Sequence, residues 1–255
     1  MNWDTRRKLI YGLVIALTFT AIGVYSLRDV LFPAPTCFDT KQNGYESGID
    51  CGGTCSLRCT QEISPLTVKW TRMLLIAPRR YDFVAMVSNK NIDNAPYALG
   101  YSFVVMNESG AEIATVNGTT TAPVDGDFPI IKQDVTLPEN PKEVIVKLHD
   151  GPHYTVLEKP TSPTIRTIGT RYEAGSIPKV FATILNTKRA TLSNIPVRAV
   201  LYDVNDNAFA VGETVVPFLD KEGRREISFT WGGAFEKAPT RILIYPIFDP
   251  FLKVQ

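Results

Sequence analysis

The sequence has little histidine, since only His149 and His153 occur among its 255 residues. Histidine is the side chain that most readily serves acid–base and metal chemistry near neutral pH, so this scarcity limits such chemistry from the start. An excess of charge of one sign is also lacking, because 27 basic and 26 acidic residues leave a formal net charge of +1. A nucleic-acid-binding protein favours a strongly basic surface, so nucleic acid is not predicted as a partner.

Sequence motifs of several enzyme classes are lacking as well. The chain has no glycine-rich phosphate loop, no nucleophile elbow and no H-E-x-x-H metal motif. The two histidines lie in HDGPH (149–153) with Asp150, and two histidines with a carboxylate are able to bind a metal. D-G-P is also an ordinary turn after a strand. We therefore predict a non-catalytic protein, with a metal-dependent enzyme at this turn as the less favoured alternative.

One long hydrophobic run is present near the N-terminus. Residues 9–27 read LIYGLVIALTFTAIGVYSL, without a charged side chain. As a helix this run is about 28 Å long, which is close to the ~30 Å hydrocarbon core of a bilayer. The sequence predicts a transmembrane helix over 9–31 that follows a cytoplasmic tail over 1–8.

The charges that flank this run predict its orientation. Arg6, Arg7 and Lys8 precede it, whereas Arg28 and Asp29 follow it and cancel. The positive-inside rule therefore predicts a single-pass cell-membrane protein with a cytoplasmic N-terminus and an extracytoplasmic bulk. A cleaved signal peptide usually has a shorter apolar region, and a core helix usually has a polar face, so both alternatives are less favoured.

After residue 60 the hydrophobic pattern has period 2, with no long 3.6-residue pattern. The alternating runs place these residues on one face of their strands: Tyr101, Phe103 and Val105; Val197, Ala199 and Leu201; Ile227, Phe229 and Trp231. Turn sequences separate the runs, at 107–110, 124–127 and 204–207. Short strands with regular turns predict β-sandwich structure, in which Trp70 and Trp231 are interpreted as core anchors.

The two halves of this β region resemble each other. FVAMVSN (83–89) matches VFATILN (180–186), and YSFVVMNESG (101–110) matches VRAVLYDVNDN (197–207). The offset of roughly 97 residues suits a duplicated immunoglobulin-sized domain. The predicted fold is mainly β, with an N-terminal transmembrane helix, a small disulfide-rich segment and two tandem Ig-like β-sandwich domains. Their predicted bounds are 65–158 and 159–255, joined at the LEKPTSPT linker (157–164).

The second half resembles the FxLYD domains, a family of Ig-like modules on bacterial surfaces. The motif position is AVLYD (199–203), which keeps Leu201, Tyr202 and Asp203 and has Ala199 in place of Phe. The first half has FVVMN (103–107), which keeps only the Phe. The resemblance implies an Ig-like fold and a location in the cell envelope, and it brings no catalytic residues.

All four cysteines lie within a predicted cysteine-rich knot, residues 32–64, at Cys37, Cys51, Cys55 and Cys59. An even cysteine count in an extracytoplasmic segment favours disulfides, and four cysteines allow three pairings. A zinc site with four thiolate ligands is the rival interpretation. A redox C-x-x-C motif is absent, because three residues separate each close pair.

The acidic and glycine residues of the knot raise the possibility of calcium. Residues 39–50 follow the spacing of an EF-hand loop, with Asp39 first, Asn43 fifth, Tyr45 seventh through its carbonyl and Asp50 last. Lys41 takes a ligand position, however, and Asp50 replaces the usual Glu. The alternative is that the Asn-Gly, Ser-Gly and Gly-Gly pairs form turns while the acids face water.

The knot also resembles a short cysteine motif of bacterial envelope proteins, C-x-D-x-x-x-N-G-x-E-x-G-x-D-C-G-G-x-C-x-x-C. The match covers Cys37 to Cys55, and the last gap is three residues rather than two. This resemblance implies a surface protein with a small stapled module.

These observations together predict a membrane-anchored, extracytoplasmic binding or scaffold protein. The predicted partners are the lipid bilayer, through residues 9–31, and an envelope protein or glycan. A structural subunit of an envelope secretion or pilus-type assembly is the main alternative, and calcium is the one cofactor considered.

Overall fold

The computed structural model describes residues 3–28, 35–59, 62–92, 94–96, 98–150, 154–156 and 165–248. The chain forms two compact units, Met1–Cys55 and Ser56–Gln255. The linker predicted at 157–164, the histidine at position 153 and the residues after 248 lie outside the described residues. The predicted bounds of the two sandwich domains stay a prediction.

The first unit contains a single described helix, α1 (Trp3–Ser26). Its segment Arg6–Ser26 has a mean hydropathy of 1.9, and none of its residues is buried. The helix is long and apolar enough to cross a membrane, and a signal sequence has the same properties. It begins before the predicted boundary at residue 9, because the polar residues at its start continue the helical hydrogen bonding.

The second unit is built from β-strands. In chain order they are β1 (Leu57–Arg58), β2 (Thr67–Ala77), β3 (Arg80–Asn89), β4 (Asn94–Pro96), β5 (Leu99–Met106), β6 (Glu112–Thr120), β7 (Gly126–Thr136), β8 (Glu143–Asp150), β9 (Tyr154–Val156), β10 (Ile165–Glu173), β11 (Lys179–Asn186), β12 (Leu192–Tyr202), β13 (Ala208–Leu219), β14 (Arg224–Thr230) and β15 (Arg241–Pro246). All described pairings are antiparallel.

The sheet topology is duplicated. The first sandwich pairs a β2-β3-β7 sheet with a β6-β5-β8 sheet, and the second pairs β10-β11-β14 with β13-β12-β15. Corresponding strands follow in the same order along the chain, so the internal repeat and the two Ig-like sandwiches predicted from the sequence are confirmed. A small β1-β9-β4 sheet is additional.

Each sandwich encloses its own core. The residues predicted to share the inner face of β5 (Tyr101, Phe103, Val105) lie in the first core. The alternating residues of β12 (Val197, Ala199, Leu201) and of β14 (Ile227, Phe229) lie in the second core, and Trp231 packs against it. Burying such side chains stabilises the fold by about 1.5–3 kcal/mol each.

The hairpin turns after β5 and β12 are capped in the same way. Asn107 Oδ1 accepts the amides of Ser109 and Ala111, at 3.1 and 3.0 Å. Asp203 Oδ1 accepts the amides of Asn205 and Asn207, both at 2.9 Å. The Asn of the first half therefore replaces the Asp of the second, since both side chains offer the same acceptor oxygen.

The two sandwiches pack face to face through a third apolar group, the interface cluster. It joins the outer face of β2-β3-β7 to the outer face of β13-β12-β15. Its buried members are Val84, Ile131, Val200, Tyr202, Ala208 and Val211, with Trp70, Leu74, Leu243 and Tyr245 packed against them. The four large sheets therefore form four successive layers, and β3 and β12 are buried on both faces.

Trp70 differs from its interpretation as a core anchor of the first sandwich. It packs in the interface cluster, edge-on against Tyr202 with 6.4 Å between ring centroids. The reason is the direction of its side chain. Met73 of β2 packs against the first core, whereas Trp70 and Leu74 face the second sandwich.

Candidate functional site

The cysteines of the knot are oxidised. Cys37 and Cys55 form a disulfide with a Cα–Cα distance of 5.7 Å. Cys51 and Cys59 are also disulfide-bonded, so none of the four cysteines is free. The predicted disulfides are confirmed. A tetrathiolate zinc site is incompatible with this state, because a disulfide sulfur cannot act as a thiolate ligand.

Asp50 holds the start of the knot. Its carboxylate accepts the backbone amide of Asp39 at 2.9 Å and that of Thr40 at 2.9 and 3.0 Å. Thr40 has φ of 60°, an unusual conformation for a β-branched residue. Hydrogen bonds from a carboxylate to backbone amides are among the stronger ones, so they help to hold this strained turn.

Asp39 and Asn43, two of the predicted calcium ligands, contact each other. Asn43 Nδ2 donates to Asp39 Oδ2 at 2.9 Å, and the amide of Lys41 donates to Asp39 Oδ1 at 3.0 Å. The hydrogen bond from Asn43 lowers the pKa of the Asp39 carboxyl, so this group stays ionised. Asn43 Oδ1 is buried and accepts no hydrogen bond from the described residues.

Tyr45, the remaining predicted ligand, is exposed, and its carbonyl lies against the glycine pair of the knot. A Cβ on Gly53 would stand 1.6 Å from that oxygen, and Gly53 has φ of 57°. Only glycine fits this position, which confirms the predicted Gly-Gly turn. The calcium site stays a prediction. A calcium ion needs six or more oxygen ligands, and oxygens of Asp39 and Asp50 already accept amide hydrogens.

His149, from the HDGPH turn considered as a less favoured metal site, lies on β8 and contacts a serine. Its Nε2 lies 2.6 Å from Ser102 Oγ on β5, and Ser102 Oγ also lies 2.6 Å from Asn117 Oδ1. Gly100 allows close approach of the His149 backbone, since a Cβ there would be 3.2 Å from the His149 Cβ and 3.3 Å from its carbonyl oxygen.

A serine hydroxyl carries one hydrogen. If Ser102 donates it to Asn117, His149 Nε2 must donate to the serine, and the imidazole cannot act as its base. Among the described residues, no carboxylate is hydrogen-bonded to His149.

Arg198 of β12 is the main polar link between the sandwiches. Its side chain is almost fully buried, and its Nε donates to Glu213 Oε2 of β13 at 2.7 Å. Nη1 donates to the Pro129 carbonyl at 2.7 Å and Nη2 to Thr120 Oγ1 at 2.9 Å, both in the first sandwich. A buried guanidinium is costly unless it is paired and hydrogen-bonded, and here all three nitrogens have partners.

A groove of about 330 Å³ opens beside the interface cluster, between the two sandwiches. It is lined by Lys69, Trp70, Arg72, Met86 and Asp127 from the first sandwich, and by Tyr202, Asp206, Arg241 and Tyr245 from the second. A size of a few hundred Å³ and a position at a domain interface are typical of small-ligand sites. We call this cavity the groove.

Two ion pairs stand at the groove walls. Lys69 Nζ lies 2.5 Å from Asp127 Oδ2, within the first sandwich. Arg241 pairs with Asp206 in the second, and its guanidinium lies over the Tyr202 ring, 4.1 Å from the centroid. These pairs are about half exposed, so they contribute little to stability.

The tyrosine hydroxyls of the groove are hydrogen-bond donors over the physiological pH range. Burial raises the pKa of Tyr202 and, more strongly, the pKa of Tyr245. The neighbouring Tyr202 phenol adds to the increase in the pKa of Tyr245. A raised pKa keeps each phenol protonated well above neutral pH.

The sequence interpretation did not identify the groove or Arg198. One signal was present, because both faces of β3 and β12 are rich in apolar residues, as in FVAMV (83–87) and AVLY (199–202). A strand that is apolar on both faces is buried on both faces. The identity of the covering sheet is not encoded in that pattern.

No protein-family model matches this sequence, and no curated protein sequence matches it. Two solved structures are similar to parts of it at low TM-scores. Red sea bream transglutaminase has a TM-score of 0.21 at 11% identity, over 74% of this chain and 30% of that protein. The tandem CBM22 domains of Paenibacillus barcinonensis Xyn10C have a TM-score of 0.16 at 8% identity, over 77% and 91%. This chain thus spans about a third of the transglutaminase, and neither likeness supports a conclusion on function.

Proposed function

We propose that this protein is a membrane-anchored, extracytoplasmic binding or scaffold protein of the cell envelope, without catalytic activity. The observation that carries the proposal is α1, whose apolar segment Arg6–Ser26 has no buried residue. Exposing so much apolar surface to water is unfavourable, and a bilayer removes that cost. Residues 9–31 would then contact the bilayer, with the N-terminus in the cytoplasm.

The disulfides support an extracytoplasmic location for the remainder. Disulfides persist in oxidising compartments and are rare in the cytosol. The resemblance of the knot to an envelope cysteine motif and that of 199–203 to FxLYD domains favour the same location.

The β-region supports binding rather than catalysis. Its polar groups at the sandwich interface hold two domains together, and no carboxylate among the described residues is hydrogen-bonded to the Ser102–His149 pair, as a catalytic triad would require. The groove and the sheet edges are the surfaces available for an envelope protein or glycan.

The alternative of a subunit in a secretion or pilus-type assembly is favoured by β13. This strand lies at the edge of its described sheet, and its Val215 and Phe218 are both 53% exposed. An edge strand with exposed apolar side chains is able to accept a strand from another chain.

The first experiment tests the anchor. Full-length protein should remain in membranes after alkaline carbonate washing and be released only by detergent. Leu17→Arg, in the middle of the apolar run, should release the chain, whereas Leu57→Arg, outside that run, should not. A mature N-terminus located after residue 28, or release of the unchanged chain by carbonate, would contradict the anchor.

The second experiment tests binding. Cross-linking in native membranes, gentle detergent extraction and mass spectrometry should recover an envelope protein or glycan with the full-length chain. Recovery of a fixed set of machine subunits would favour the assembly alternative. Recovery of nothing beyond a control with an unrelated anchored protein would contradict both.

A further inference from the structure

Arg72 differs from the other cations of the groove. Lys69 and Arg241 each have a carboxylate partner, whereas Arg72 Nη2 donates to the neutral Asn207 Oδ1, at 2.6 Å. Among the residues that the structure describes, no carboxylate lies within ion-pair distance of Arg72. Its side chain is partly buried, and a partly buried cation without a counter-charge is less stable than a paired one.

The surroundings of Arg72 suit an anion with a flat apolar body. The indole of Trp70 lies beside it, with the guanidinium carbon 6.0 Å from the ring centroid. Tyr202 and Tyr245 line the same groove and offer hydroxyl groups. The lining has three cations, Lys69, Arg72 and Arg241, and two carboxylates, so one positive charge remains unbalanced.

Arginine is well suited to this task. Its planar guanidinium has five N–H donors, which match the two oxygens of a carboxylate or a phosphate. The bond to Asn207 uses one nitrogen and leaves other donors of Arg72 for a ligand.

We infer that the groove binds a single oxyanion, a carboxylate or a phosphate, on Arg72, with an apolar part of the same ligand against Trp70. Because the groove is formed by both sandwiches, the bound ligand contacts both and favours their packed arrangement. This inference rests on the binding role proposed above. It adds to that role the chemistry of the ligand, or of an exposed group on a partner.

The test uses full-length protein in detergent micelles, labelled with ¹⁵N at the tryptophan indoles. Benzoate, phenyl phosphate and uncharged benzamide are titrated, and the three indole signals are followed. The Trp70 signal should shift saturably with benzoate, with phenyl phosphate or with both, whereas those of Trp3 and Trp231 should not move. The two anions distinguish a carboxylate source from a phosphate source.

Two variants test the role of Arg72. Arg72→Gln should weaken anion binding at least tenfold, while Arg189→Gln, which removes an equally positive but exposed guanidinium, should leave it unchanged. Asn207→Asp gives Arg72 a carboxylate partner in place of the neutral amide. It should also weaken binding at least tenfold, and it does so without removing any groove cation.

Three results would overturn the inference: no saturable shift of Trp70, an equal shift with benzamide, or undiminished binding in a folded Arg72→Gln or Asn207→Asp variant. If the anions fail to bind while cross-linking still recovers a partner, the proposed function stands and the partner binds elsewhere. If the anions bind while no partner is recovered, the groove is a site for a free small molecule.

Discussion

Asn89 and Asn186 have the same structural role in the two sandwiches. Each is a buried asparagine at the end of its strand, β3 or β11, and each accepts the amide of the residue two positions later at 2.9 Å. Each donates from Nδ2 to the carbonyl found 34 residues further along the chain, that of Pro123 or of Asp220. This shared hydrogen-bond pattern is the most detailed evidence for the internal duplication.

The first prediction concerns these two residues. Asn186→Ala and Asn89→Ala should each lower the free energy of unfolding by about 2–4 kcal/mol, because several buried carbonyls and an amide lose their partner. Denaturant titration measures the change. The exposed Asn205→Ala should change the stability by less than about 0.5 kcal/mol. A loss below about 1 kcal/mol in both buried variants would show that these hydrogen bonds are not needed.

The second prediction concerns the coupling of the two sandwiches. Val200 is fully buried in the interface cluster, so Val200→Asp places a carboxylate between the sheets. We expect the unchanged chain to unfold in one calorimetric transition and the variant to unfold in two, because each sandwich keeps its own core. Val204→Asp, at a residue 75% exposed, is the matched control and should retain one transition. Two transitions in the unchanged chain would mean that the interface does not couple the domains.

The third prediction concerns Asp82, which is buried on β3 and accepts the amide of Asp134 at 2.8 Å. Burial raises the pKa of the Asp82 carboxyl. The folded chain therefore holds this proton more tightly than the unfolded chain, and the resulting stability is lost as the pH rises through the folded pKa. Asp82→Asn keeps an acceptor for the amide, so it should stabilise the protein at neutral pH.

The control for this prediction is Asp134, which has the opposite behaviour. Its ion pair with Arg80 lowers the pKa of the Asp134 carboxyl, so its contribution is present at neutral pH and is lost as the pH falls through the folded pKa. Asp134 has φ of 57°, a conformation that asparagine tolerates. Relative to the unchanged chain, the denaturant midpoint of Asp82→Asn should rise with pH and that of Asp134→Asn should fall with pH, over a range from about pH 2 to about pH 8. Parallel pH profiles would contradict the assignment.

The fourth prediction concerns the knot. Asparagine, like aspartate, tolerates the positive φ of 55° at position 50. Asp50→Asn therefore removes only the charge of the group that accepts the Asp39 and Thr40 amides. Hydrogen exchange of these two amides should become faster by on the order of tenfold, because charge-assisted hydrogen bonds are stronger than neutral ones. Asp125→Asn, at an exposed aspartate with a similar φ of 53°, should not change them. Non-reducing peptide mapping should recover the Cys37–Cys55 link in both variants.

Much of the fold follows from local patterns in the sequence. The alternation of Ile227 and Phe229 predicts which face of β14 is buried, because side chains on a strand point to opposite faces in turn. The repeat of FVAMVSN in VFATILN predicts the duplicated topology. The turn at 107–110 was predicted from its residue types, although the capping role of Asn107 was not.

Less of the candidate site could be predicted, and Trp70 and Arg198 show why. The alternating pattern that ends at Trp70 fits either face of its sheet. The pattern alone therefore does not distinguish the core of the sandwich from the interface between domains. Arg198 has partners 69 and 78 positions away, at Pro129 and Thr120, and no local pattern encodes such distances.

The sequence by itself determined the apolar N-terminal helix, the oxidisable cysteines, the β-strands with their turns and the duplication. Each of these depends on residues that are close in the chain or on repeated segments. Only the tertiary structure decided that the two sandwiches share a face and that Arg72, Trp70 and Tyr202 meet in one groove. The physical reason is that β3 and β12 are apolar on both faces, which requires a covering layer without specifying it. Packing of the complete chain specifies that layer.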